Sequence, residues 1–138
     1  MNPKQFTNLG KITSQFGEPT RQEQSHGGVD IAAAGGTPIS APTTGVVTSV
    51  DGGHSQGENN YGNTVEIKDA EGNTHQFHHL QKMLVKPGQQ INRGQEVATM
   101  GKTGAVYSND GSDPTNLDYR VVSAFGKFLN PVKYIDKL

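Results

Sequence analysis

The stretch NTVEIKDAEGNTHQFHHL, residues 63–80, decides the fold. Two short β-prone runs, NTVEIKD and NTHQFHHL, meet across Ala70-Glu71-Gly72, and a run, a glycine-bearing turn and a second run spell a hairpin. The same grammar repeats outward in both directions. ITSQF closes at Gly17, and GVVTSV closes at Asp51-Gly52-Gly53. VKPGQQINRGQEVATMGKTG (85–104) carries Pro87-Gly88 and Arg93-Gly94 turns between short β runs and leaves no room for a helix. The reading is an all-β chain of small antiparallel sheets. The best helix candidate is the short tail after Pro131.

Composition agrees. The chain has 138 residues, one domain's worth, and 18 are glycine, about twice the usual share, which implies many turns between short strands. Apolar residues make up only 31%, so the core is expected to be thin and sheet-like. The formal net charge is -1 with no Lys or Arg block, which argues against nucleic acid as a partner. No run approaches the roughly 18 apolar residues of a membrane span, and MNPKQFTNLGKI lacks the apolar segment of a secretory signal. Neither membrane nor export address is expected. With no cysteine, any metal must be held by His, Asp or Glu.

Three segments can carry chemistry. In NLDYRV (116–121), Leu117, Tyr119 and Val121 face the core while Asn116, Asp118 and Arg120 face the other side. The plain alternative for that polar side is an exposed Asp118–Arg120 ion pair of little worth. SHGGVDIA sets His26 and Asp30 four apart, on one face of an extended chain, with Gly27 and Gly28 removing side chains that would crowd an ion or substrate. NTHQFHHL adds three histidines. By strand alternation His75, Phe77 and His79 share one face and Gln76 and His78 the other, so the three cannot all join one site. Two polar loops, 51–63 and 103–115, are long for a compact domain and are read as walls of a groove. His54 lies in the first of them and has no partner readable from the sequence.

Together, His26-x-x-x-Asp30, FHHL and NLDYRV resemble, in order and spacing, the lysostaphin-type (LytM-like) zinc endopeptidases that cut peptide cross-bridges of bacterial cell walls. GKITSQFG, SHGGVDIAAAGGTPISAPTTGVVTSV, YGNTVEIKDAEGNTHQFHHL, VKPGQQINRGQEVATMGKTG and NPVKYI extend the resemblance from Lys11 to Ile135. It implies a duplicated-hybrid-motif fold with a metal at the floor of a groove, residues 11–138 as the peptidase domain and 1–10 as an extension. His26 and Asp30 match the first two zinc ligands, and His79 matches a catalytic histidine. Phe77 stands where a tyrosine is usual. The family ends on His-x-His, a catalytic histidine and then the third ligand, and here Asn116 and Asp118 stand at those positions. His54, Tyr61, Phe77, Tyr107 and Arg120 are expected to line the substrate groove.

The two replacements matter chemically. Asp118 can still ligate, giving His26, Asp30 and Asp118 for one zinc ion or an oxygen-tolerant metal such as manganese. Two carboxylates cancel more of the ion's charge, and Arg120 restores some positive field. Asn116 can donate to an oxyanion, yet an amide moves no proton near neutral pH. The resemblance therefore implies a metal-dependent peptidoglycan endopeptidase, weakened by the two replacements, acting at the bacterial cell wall on peptidoglycan peptides. The alternative is an inactive relative that binds wall, activates another hydrolase or serves as a virion structural module, with no metal or a purely structural one. The lack of a visible signal peptide suits a virion-associated or holin-released phage protein, with virion or lysis proteins as further partners. GQQINRGQEVATMGKTG alone is similar to lipoyl and biotinyl carrier domains, but it lacks their modified lysine.

Overall fold

The computed structural model describes residues 7–19, 25–58, 60–106 and 112–138. The described residues form ten strands: β1 (Lys11–Ser14), β2 (Val29–Ala32), β3 (Pro38–Ser40), β4 (Gly45–Asp51), β5 (Asn63–Asp69), β6 (Thr74–Met83), β7 (Gln90–Ile91), β8 (Glu96–Met100), β9 (Asn116–Val122) and β10 (Phe128–Leu129). All named pairings are antiparallel, and the main path runs β1-β2-β9-β6-β5-β4-β7. Strand β10 lies beside β9, and β8 joins β6 to β3. The all-β antiparallel fold expected from the turn pattern is the fold found. The tail after Pro131 forms two 3-10 turns, Pro131–Lys133 and Ile135–Lys137, the first capped by the Asn130 side chain, which accepts from the Val132 amide. Among the described residues no helix is long and apolar enough to cross a membrane.

The core sits on one face of the central strands. Ile31 on β2, Leu117, Tyr119 and Val121 on β9, and His75 and Phe77 on β6 are fully buried. Each apolar side chain so buried stabilises the fold by roughly 1.5–3 kcal/mol. Alternation then sends Asp30, Asp118, Arg120, Gln76 and His78 to the opposite face. Residues 1–6 of the expected extension lie outside the described residues. Just after them Leu9 packs against the core, and the Asn8 side chain donates to the Asp136 carbonyl at 2.8 Å.

One irregularity decides the site. In the β5–β6 pairing Asn63 faces Leu80 and Val65 faces Phe77, so one residue of β5 is opposed by two of β6, His78 and His79. This is a β-bulge. His79 takes φ 66°, the one non-glycine residue with positive φ among those described. The bulge interrupts the alternation, and β6 continues past Leu80 to Met83 to pair with β8 instead of ending there. The expectation that His79 shares the face of His75 and Phe77 is corrected by this bulge, which turns His79 toward Asp118.

Two loops close over the bulge. The amides of Gly57 and Gly104 donate to the carbonyls of Gly104 and Ser55 at 2.8 and 2.9 Å, and the Ala105 amide donates to Asn60 at 2.8 Å. Gly62 permits the contact, since a Cβ there would stand 2.4 Å from the Thr103 carbonyl oxygen and its φ is 69°. The Tyr61 carbonyl accepts the His79 amide at 2.8 Å.

Candidate active site

The site is a row across three neighbouring strands. Asp30 on β2 faces Asp118 on β9, which faces His78 on β6. His26, just before β2, brings Nε2 to 3.5 Å from Asp30 Oδ1 and 3.8 Å from Asp118 Oδ1, while its Nδ1 lies 3.1 Å from Ser14 Oγ. Anchoring one ring nitrogen on β1 aims the other between the two carboxylates. One ligand atom from each of His26, Asp30 and Asp118 lies within 4.8 Å of the others, the one such group among the described residues. One imidazole nitrogen and two carboxylate oxygens converging at this range fit a divalent cation such as zinc or manganese. His26 is 2% exposed. Burial disfavours its charged form, but Asp118 and Asp30 outweigh burial and raise its pKa.

Arg120 completes the electrostatics. Its Nε and one terminal nitrogen donate to the two oxygens of Asp118, each at 2.9 Å, and both side chains are buried. The exposed surface pair considered from sequence is thus a buried, bidentate one, because β9 runs through the middle of the sheet. Burial opposes the Asp118 carboxylate, yet pairing with His26 and Arg120 holds its pKa well below the usual range. The guanidinium carbon sits 4.9 Å from the Tyr61 ring centroid and 5.5 Å from that of Phe128. Gly27 and Gly28 make space for this side chain. A Cβ at Gly27 would stand 2.9 Å from a guanidinium nitrogen, and one at Gly28 2.5 Å from Arg120 Cγ. The two glycines accommodate an arginine, a packing reason the sequence did not reveal.

The bulge supplies two neutral imidazoles. His79 Nδ1 lies 2.8 Å from the Thr103 carbonyl, which can only accept, so Nδ1 carries the proton and Nε2 bears the lone pair. Burial lowers the His79 pKa, against a smaller opposing pull from Asp118. The Thr64 hydroxyl donates to the Gly62 carbonyl at 3.2 Å and therefore accepts from His78 Nδ1 at 3.1 Å. His78 Nε2 is left as a buried lone pair with no hydrogen-bond partner among the described residues. The Tyr61 ring stacks on His78 with centroids 4.3 Å apart. Burial pushes the His78 pKa down to about 4. Sequence alternation separated His78 from His79, and the bulge that unites them had no readable signal beyond two adjacent histidines before a turn of the chain.

Other expected site residues fall variously. Asn116 lies two residues before Asp118 on the same face, and its side-chain amide donates to the Pro114 carbonyl at 2.8 Å. Phe77, expected in the groove, is fully buried against Tyr119 at 5.2 Å because the pleat turns it to the core. His75, on the same buried face, bonds Asp69 at 2.9 Å and the Tyr119 hydroxyl at 2.7 Å. His54 clips its own loop, with Nε2 3.1 Å from Asp51 and Nδ1 3.2 Å from Glu58. Tyr61 covers His78 and Arg120 and is 48% exposed, so it presents an aromatic edge to solvent. Tyr107 lies outside the described residues.

Residues 24–131 match Peptidase family M23. The murein hydrolase activator NlpD of Salmonella dublin is 32% identical over 126 residues, covering 91% of this chain and 29% of that protein. The peptidoglycan DD-endopeptidase ShyC of Vibrio cholerae is 38% identical over 87 residues, 63% of this chain and 19% of that protein. The chain thus spans less than a third of either relative. Among solved structures, the mutant catalytic domain of the prophage-encoded M23 protein EnpA from Enterococcus faecalis superposes with a TM-score of 0.71 at 27% identity, covering 94% of this chain and 97% of that one.

Proposed function

The chain belongs to peptidase family M23, and from that premise we propose that it is a metal-dependent peptidoglycan endopeptidase acting on cell-wall peptides. The observation that carries the reading is the convergence of His26, Asp30 and Asp118, with donor atoms within 4.8 Å, on the face to which the bulge also turns His79. A divalent ion held by these three residues would supply the Lewis acid that polarises the scissile carbonyl. His79 Nε2, left unprotonated by the Nδ1 bond to Thr103, would take the proton of an attacking water and return it to the leaving amine. Asn116 has a second amide hydrogen beyond the one given to Pro114 and can donate it to the developing oxyanion. Asn116 itself moves no proton, so His79 must serve first as base and then as acid. Tyr61 and the loop that carries it would form one wall against the peptide.

A second reading has its own support: both oxygens of Asp118 already accept from Arg120, and NlpD is named as a murein hydrolase activator. On that reading the chain binds wall or a hydrolase without cleaving. Elemental mass spectrometry on protein purified without chelator or metal resin tests the choice. About one divalent ion per chain, lost in Asp118→Ala, together with new free amino groups in digested peptidoglycan, is the expected result. No ion after zinc is added back, and no new amino groups, would leave the activator reading standing.

A further inference from the structure

Arg120 is the one buried cation beside the candidate metal ligands among the described residues, and its seat is built from several elements. Both Asp118 oxygens accept from it at 2.9 Å, the aromatic faces of Tyr61 and Phe128 flank it at 4.9 and 5.5 Å, and the side chain is 3% exposed. Side chains at Gly27 and Gly28 would exclude it. These contacts fix the orientation of the guanidinium against Asp118.

Its charge then bears directly on the ion. Asp30 and Asp118 bring two carboxylates to the ion, and Arg120 offsets the charge of Asp118. A carboxylate that already accepts two charge-assisted hydrogen bonds is a poorer donor to a cation, and a fixed positive charge hydrogen-bonded to one of the ligands repels one. The converse is that less of a bound ion's charge is cancelled. We propose that Arg120 is a positioning residue that sets the cation affinity of the site: it orients Asp118 and offsets its charge, so that the Asp118–Arg120 pair meets a divalent ion as a neutral donor. This rests on the reading of His26, Asp30 and Asp118 as a metal centre.

Calorimetric titration of zinc and of manganese into the chelator-stripped full chain, at fixed pH, separates the cases for wild type, Arg120→Gln and Arg120→Lys. Arg120→Gln keeps a hydrogen-bond donor and removes the charge, and it should bind zinc about ten- to a hundredfold tighter than wild type. Arg120→Lys keeps the charge and should stay within about threefold. The gain in Arg120→Gln should extend to manganese, which favours anionic oxygen. Equal or weaker zinc binding by Arg120→Gln would overturn the inference, since a residue that only supports the fold would loosen the site in both variants. If Arg120→Gln is unfolded in chelator, recovery of its circular dichroism on adding zinc supports the inference, because the ion then replaces the guanidinium as counter-charge. Failure to recover in excess zinc overturns it. No stoichiometric zinc in either wild type or Arg120→Gln is a separate result, which defeats the metal-centre reading and this inference with it.

Discussion

Acid should unfold this protein through His78, and the effect can be sized from its surroundings. Burial under Tyr61 and against Thr64 moves its pKa from 6.5 to about 4, the nearby Asp118 charge offsetting only part of that. The unfolded chain takes up this proton as pH drops below 6.5, whereas the folded chain resists until about 4. The stabilisation is therefore complete above pH 6.5 and is lost as pH falls through that window. Linkage gives a loss of about 2 kcal/mol at pH 5 and about 3 kcal/mol at pH 4, relative to pH 8. His75 and His79, also lowered by burial, act in the same direction. His26, raised by its carboxylates, acts oppositely: its contribution is present in acid and fades as pH rises through its folded value. Comparison with His78→Met cancels these shared terms. Urea unfolding followed by circular dichroism, in chelator, at pH 8, 6 and 5 should show the wild type losing about 2 kcal/mol more than the variant between pH 8 and 5. In melting temperature that is on the order of 8 °C for a domain of this size. Parallel pH profiles, with a gap constant within about 0.5 kcal/mol, would refute the picture of a neutral, enclosed imidazole.

Other perturbations probe the remaining parts of the site. Asp118→Asn and Arg120→Met should each destabilise the metal-free fold by about 3–5 kcal/mol, while the double variant should lose much less than their sum, a coupling readable by a thermal-melt double-mutant cycle. Gly28→Ala should cost about 1–3 kcal/mol by overpacking, because its methyl would meet the Tyr119 carbonyl at 2.4 Å; a melt identical to wild type would contradict the close approach. At position 79 the usual strand preference should invert, His79→Gly melting above His79→Ala by about 1 kcal/mol, since glycine alone adopts the positive φ without strain. If Asn116 limits turnover, Asn116→His should raise peptidoglycan cleavage by about 10² or more, followed by release of free amino groups; no gain on a substrate that wild type binds would count against that role.

The sequence was legible where local chemistry dictates structure. Turn residues such as Ala70-Glu71-Gly72 and Pro87-Gly88 bounded the strands correctly, and the alternation in NLDYRV placed Leu117, Tyr119 and Val121 in the core. The spacing of His26 and Asp30 anticipated a shared face. What stayed hidden depends on contacts between distant segments. The bulge at His78 and His79 arises because β6 must pair with β5 on one side and then turn to β8, which no window of residues around it encodes. Phe77 was misplaced by trusting its position in a motif over the pleat. The glycines after His26 were read as clearing space for an ion or substrate, whereas the side chain they make room for is Arg120, more than ninety residues away.

On the proposed function, the zipper between the two loops ties recognition to chemistry. Ser55, Gly57 and Asn60 hold Gly104 and Ala105 by backbone bonds, while the Tyr61 and Thr103 carbonyls grip the amide and ring of the same His79. If the chain cleaves peptides as proposed, variation in either loop that alters which peptide is accepted will also shift the imidazole. Swapping one loop from a relative would then change mechanism as well as taste. The portable unit for engineering or for recombination is both loops together with the bulged segment between β5 and β8, and chimeras cut anywhere inside that unit should be the ones that fold without working.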